Sequence, residues 1–206
     1  MPDLSFAIET MDAVLDAAPP FLQAHVRITN SCSGEHIESI ALRYQVQIEA
    51  ARRRYSNEEK AALHDLFGSP ERWASTIRPL LWANAQTTVP AFTAQTLVDL
   101  TLSYSFDLNI AAAKYLETVR DGEIPLVFLF SGTVFYSSDN HPLQIAQIPW
   151  DREARYRVPA KIGKEAVELS GAASGWTVLN RAVNDHVRRC RQEAAIAANE
   201  KGGTEE

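Results

Sequence analysis

The sequence is short of cysteine, of lysine and of long apolar runs, and each shortage excludes something. Two cysteines, Cys32 and Cys190, stand in 206 residues. That is too few for a disulfide framework. The five histidines and two cysteines form no C-x-x-C or H-x-x-x-H pair, so no structural zinc pattern is present. The longest apolar run, Ile124–Phe130, contains Pro125 and falls well short of the ~18 residues that cross a bilayer. Met1–Thr10 carries Asp3 and Glu9 and no basic cluster, which does not read as a secretory signal. The expectation is a cytoplasmic protein with reduced thiols and no membrane partner. Bases are also outnumbered, 20 against 26 acids, for a net charge of −6. A nucleic-acid binder displaces counterions with a basic excess, so nucleic acid is not an expected partner.

Hydrophobic residues make up 46% and charged residues 22%, enough to build a core. The charge is uneven. Residues 1–51 hold seven acids and two bases, whereas residues 150–191 hold five acids and nine bases. Fifteen of the bases are Arg and five are Lys. Guanidinium groups pair bidentately with carboxylates and stack on aromatic rings, so this bias suits protein contacts. The plainer reading is ion pairing within the fold.

Alternation dominates the first half. Leu22, Ala24, Val26 and Ile28 alternate with Gln23, His25, Arg27 and Thr29. After a turn at Asn30–Gly34, Ile40, Leu42, Tyr44, Val46 and Ile48 alternate with polar residues. Period-two patterning puts each set on one face of a strand. The two segments read as antiparallel neighbours. Ser56 and Glu59 have capping-box spacing, and Gly68 and Pro70 supply a stop, which predicts a helix over 57–67. Residues 98–110 alternate for longer than an ordinary strand, so a bend is expected. Residues 110–119 read as a short helix with Ala112, Tyr115, Leu116 and Val119 on one face, and a strand into an Asp-Gly hairpin is the alternative. Residues 124–136 are apolar on both faces, the mark of a central strand, with Gly132 at a bulge. Strands at 143–148 and 153–158, a short helix over 161–169 and a longer helix from Thr177 to about Asn199 complete the pattern.

The expected fold is mainly β (α+β). It is an antiparallel β-sandwich with an inserted helix and C-terminal helices. The sandwich domain spans 1–170, a helical extension 171–199 and a disordered tail 200–206.

No motif carries chemistry decisively. His186 and Cys190 have i, i+4 ligand spacing, but they continue a stripe with Leu179, Val183 and Ala194 that reads as a packing face, so they are weak metal candidates. Ser131-Gly132 lacks the nucleophile-elbow pattern. Asp99 and Asp107 are too far apart on one strand to act as a glycosidase pair. There is no phosphate-binding glycine motif. Trp73, Trp82, Trp150 and Trp176 offer stacking faces, though capping the ends of the sandwich is the plainer role. No cofactor and no catalytic residue is expected.

One set of segments is denser in unusual residues. Arg52-Arg53-Arg54-Tyr55-Ser56-Asn57-Glu58-Glu59 leads to Asp65-Leu66-Phe67-Gly68-Ser69-Pro70-Glu71-Arg72-Trp73, then Arg78-Pro79-Leu80-Leu81-Trp82 and Val89-Pro90-Ala91-Phe92. Ala111-Ala112-Ala113-Lys114-Tyr115, Asp121-Gly122-Glu123-Ile124-Pro125-Leu126, Phe130–Phe135 and Pro149-Trp150 to Tyr156 follow. Over residues 4–176 this resembles a bacterial family known as domain of unknown function 6084. The resemblance implies genes beside those of uptake [NiFe]-hydrogenases and hence an accessory or assembly role. It implies no catalytic residues. The reading is a non-enzymatic interaction module whose partner is a hydrogenase subunit or maturation factor. Arg53, Arg72, Trp73, Arg78 and Trp82 are its candidate anchors, because Arg and Trp dominate binding hot spots. The alternative is a small-molecule- or metal-handling protein or an unrecognised enzyme, with His64, Asp65, the Trp73/Trp82 loop and His141 lining a pocket.

Overall fold

The computed structural model describes residues 1–14, 16–17, 21–103, 110–138 and 141–162. Among these residues eight strands form two antiparallel sheets: β1 (Leu4–Val14), β2 (Phe21–Asn30), β3 (Glu35–Ile48), β4 (Leu80–Val89), β5 (Gln95–Ser103), β6 (Glu123–Ser138), β7 (His141–Gln147) and β8 (Glu153–Pro159). The first sheet has the order β1-β2-β5. The second has the order β4-β3-β6-β7, with β8 also on β6. The helices are α1 (Asn57–Ala62), α2 (His64–Phe67), α3 (Trp73–Thr76) and α4 (Ile110–Thr118). The mainly β sandwich expected from alternation is the observed architecture.

The pairing of neighbours differs from expectation. β2 and β3 do not pair: β2 lies between β1 and β5, and β3 lies between β4 and β6. The turn at Asn30–Gly34 carries the chain from one sheet to the other. Asn30 is buried, and its Oδ1 accepts from the backbone N–H of Asp3 and Cys32. A side chain that satisfies partly buried backbone donors lets the chain leave its sheet without orphaning them.

Inward positions follow the alternation. Leu22, Ala24, Val26 and Ile28 are buried, as are Ile40, Leu42, Tyr44, Val46 and Ile48. Each large aliphatic side chain so buried contributes about 1.5–3 kcal/mol. A one-residue slip of β2 would put His25 and Arg27 inside, so the register is strongly specified. The sheets meet through Phe6 and Phe130, stacked with centroids 4.2 Å apart, and through the Tyr44 hydroxyl, which donates to the Thr101 carbonyl at 2.7 Å.

β6 is the central strand. β3 covers one flank from Leu126 to Ser138. On the other flank β8 pairs with Glu123–Leu129, and β7 pairs from Thr133 to Ser138. Between them, Phe130 and Ile148 N–H groups bond the Arg152 and Gly132 carbonyls. Gly132 is not a bulge, because the β3–β6 register runs through it unbroken. Its φ is +146°, and a Cβ there would lie 2.1 Å from the Ala41 carbonyl oxygen. Only glycine allows this close approach where β6 changes partners.

The helix expected over 57–67 is two short helices. Ser56 and Glu59 form the full capping box, and Gly68 ends the segment at φ +74°. The break comes at Leu63, which is fully buried; seating it and Phe67 in the core takes precedence over an unbroken ladder. α4 is the expected helix, with Ala112, Tyr115, Leu116 and Val119 all buried. β5 ends at Ser103, and residues 104–109 of the long alternating segment lie outside the described residues. A helical turn begins at residues 160–162. The rest of the expected 161–169 helix, the extension at 171–199 and the tail lie outside the described residues.

Candidate functional site

The insert between β3 and β4 is the contact surface expected from sequence, and its side chains divide into two groups. Arg53, Trp73 and Trp82 are committed to the interior. The Arg53 side chain is 9% exposed and pairs with Glu59 at 2.9 Å. It donates to the Asp121 carbonyl, and its guanidinium carbon lies 5.2 Å from the Tyr55 ring centroid. It therefore ties the insert to the turn between α4 and β6. Trp73 and Trp82 are buried in the core, and Trp73 Nε1 donates to the Gly68 carbonyl at 2.8 Å. Arg72 and Arg78 are exposed and make no ion pair among the described residues; Arg78 donates to the Ile77 carbonyl.

His64 and Asp65 lie on α2 and are exposed, with Asp65 paired to Lys114 of α4 at 2.8 Å. The side chain of His141, and both His186 and Cys190, lie outside the described residues. Among the described residues, no group of three or more His, Cys, Asp or Glu is placed to hold a metal ion. No helix among them is long and apolar enough to cross a membrane.

Tyr55, Phe67, Trp73 and Tyr115 form a cluster of edge-to-face rings beneath the insert. Sequence reading missed it because Tyr115 and Tyr55 are 60 residues apart. The Tyr55 hydroxyl donates to the Ala50 carbonyl at 2.6 Å. Its single proton is thus spent, so Tyr115 donates in the 2.9 Å contact between the two hydroxyls. Burial pushes both phenols above the ordinary tyrosine value. In the unfolded chain they ionise near ~10, so above that pH the unfolded state binds fewer protons than the folded one. Their contribution to stability is therefore complete below about pH 10 and declines above it. Denaturant unfolding at about pH 8 and about pH 11 tests this. The Tyr55→Phe/Tyr115→Phe variant should be about 1–3 kcal/mol less stable at the lower pH, since it strips the Ala50 carbonyl of its donor. It should lose less than the parent between the two. An equal alkaline loss in both proteins would refute the assignment.

A surface not singled out beforehand lies on β7. Leu143 and Ile145 share a face of this strand and are 62% and 63% exposed, and Trp150 in the following turn is 90% exposed. Half-buried Phe135 of β6 pairs with Ile145. Among the described residues β7 pairs with β6 alone, so none of them pairs with its other edge. Residues 141–147 contain no Asp, Glu, Lys or Arg, the charged guards of an open edge, and the one proline, Pro142, stands at the start of the strand. The sequence signal was present as Leu143, Ile145 and Trp150, but alternation does not tell which apolar positions face a core.

Comparison with solved structures gives distant likenesses. A structure described as putative ApaA from Bordetella pertussis has 13% identity and a TM-score of 0.27, covering 76% of this chain and 93% of that one. Beta-glucosidase 3B from Thermotoga neapolitana has 10% identity and a TM-score of 0.24, covering 76% of this chain and 17% of that one. A beta-glucosidase from Kluyveromyces marxianus has 9% identity and a TM-score of 0.25, covering 76% and 15%. No curated protein matches. The sequence itself matches the model of a family of unknown function over residues 1–204, beyond the span of the resemblance at 4–176, and the chain belongs to that family, DUF6084.

Proposed function

We propose that this chain is a non-enzymatic protein-binding module that assists [NiFe]-hydrogenase assembly or maturation, docking a hydrogenase subunit or maturation factor on β7. The observation that carries the docking surface is the exposure of Leu143 and Ile145 on an uncharged strand whose other edge no described residue pairs, with Trp150 exposed in the following turn. Contiguous exposed apolar residues mark interaction surfaces, and an open edge accepts an extended segment by backbone pairing. The hydrogenase assignment is supported by the family resemblance and its implied gene neighbourhood. Arg72 and Arg78 are exposed in the insert and supply a second, polar contact.

The test is recovery of partners by the tagged full-length protein from its native host while the hydrogenase is expressed. The parent should recover a hydrogenase subunit or maturation factor. Ile145→Ser should weaken that recovery by about tenfold, as hot-spot truncations do, with an unchanged melting temperature. Arg72→Ala should weaken it less. Recovery of no specific partner, or recovery untouched by Ile145→Ser, overturns the proposal.

A further inference from the structure

We propose that a second site, on the opposite half of the β6 flank, binds a small polyanion bearing phosphate or clustered carboxylates. A cleft of about 430 Å³ is lined by Glu49, Arg52, Pro125, Leu126, Arg155, Tyr156 and Arg157. Its size falls in the range of small-molecule sites, about 300–1,000 Å³. Three guanidinium groups line it against one carboxylate.

That carboxylate organises the site. Glu49 is 14% exposed and pairs through one oxygen with Arg52 Nε at 2.9 Å and through the other with Arg155 Nε at 3.3 Å. Both of its oxygens are therefore engaged by cations before any ligand arrives. Arg155 also pairs with Glu153 at 2.5 Å, outside the lining. Arg157 shares the outward face of β8 with Arg155, and among the described residues it pairs with Glu123 at 3.9 Å. A guanidinium carries several N–H donors, more than these carboxylate contacts use, so N–H groups of all three arginines remain for a ligand. Guanidinium groups held side by side repel one another, and an oxyanion between them relieves that repulsion while accepting charge-assisted hydrogen bonds. The floor is apolar at Pro125 and Leu126, and the Pro125 carbonyl is already occupied by the Glu49 N–H at 2.9 Å. Little on the floor therefore opposes a negative ligand.

Calorimetric titration of the full chain with inorganic phosphate, pyrophosphate and citrate, at low and high salt, tests the site. At least one anion should bind saturably, and more weakly in high salt. A stronger response to pyrophosphate identifies a phosphate ligand, and a stronger response to citrate a carboxylate one. Arg157→Gln should weaken the binding by about tenfold or more, with the melting temperature unchanged because Arg157 is 57% exposed and its ion pair among the described residues is the long one to Glu123. Glu49→Gln is the second probe; by freeing Arg52 and Arg155 it should strengthen binding. No saturable binding by any of the three anions, or binding indifferent to Arg157→Gln, overturns the proposal. These outcomes are separable from the docking reading, which depends on Ile145 and not on Arg157.

Discussion

Gly132→Ala should abolish folding. The added Cβ would lie 2.1 Å from the Ala41 carbonyl oxygen and 3.1 Å from its carbon, both backbone atoms of the paired strand β3. Neither can swing aside as a side-chain tip can. The residue is also held at φ +146°, where a side chain is strained whatever the space. Strain and overpacking each cost about 1–3 kcal/mol. Relief by moving the backbone would break the β3–β6 ladder at the centre of the larger sheet. Together, about 2–6 kcal/mol before any ladder is broken, they reach the lower end of the entire stability of a domain this size, about 5–15 kcal/mol. The control is Gly34→Ala. Gly34 has φ +85°, but a Cβ added to it would meet nothing within 4 Å, so the cost is conformational alone, about 1–2 kcal/mol. Soluble yield and circular dichroism of the two variants decide the matter. A Gly132→Ala protein as stable as Gly34→Ala would show that β3 yields where the structure holds it rigid.

Arg53→Met should destabilise the protein by about 3 kcal/mol, the scale of breaking a largely buried pair from one side. Glu59 uses one carboxylate oxygen for the Ser56 N–H of the capping box and the other for Arg53. Removing the cation leaves that carboxylate only 13% exposed and half satisfied. It also strips the Asp121 carbonyl of a donor and the Tyr55 ring of its cation. Arg53→Lys should recover only part of the loss, because an ammonium lacks the planar fork whose two separate nitrogens reach Glu59 and Asp121. Arg72→Ala, on the exposed side of the insert, should change stability by no more than about 0.5 kcal/mol. Chemical denaturation of the three variants measures this directly. If Arg53→Met is as benign as Arg72→Ala, Arg53 is not a brace.

The legible parts of the fold are those where one physical rule acts alone. β2 and β3 alternate cleanly because each has one wet face. The α1 start is legible because its capping box is a local exchange between Ser56 and Glu59. α4 is legible from the buried stripe Ala112, Tyr115, Leu116 and Val119. β1 is not legible as a strand: an irregularity between Ile8 and Thr10 shifts the inward set from Leu4 and Phe6 to Met11, which destroys the period. Which strands pair is not local at all. Asn30 diverts the chain to the other sheet through bonds to Asp3 and Cys32, and neither its identity nor its spacing announces that. For the candidate sites, residue type was informative and direction was not. Arg53 and Arg72 look equivalent in sequence, yet one is folded inward against Glu59 and the other faces solvent. The arginine cleft was invisible because Glu49 and Arg155 meet only after β8 has paired with β6.

The pairing of β6 has a consequence for the order of events during synthesis. Glu35 pairs with Ser138, and Ile48 pairs with Leu126. The central ladder of the larger sheet thus closes over very long stretches of chain. A chain made from its N-terminus carries β3 with one flank on β4 and the other open until β6 has been produced. Such distant pairing is slow, because loop closure must be completed before its contacts reward it. In that interval β3 presents an open flank along its whole length, beside the apolar row of Ile40, Leu42 and Val46. This is the kind of exposure from which a nascent chain aggregates. The strand at the centre of the larger sheet is therefore also its timekeeper.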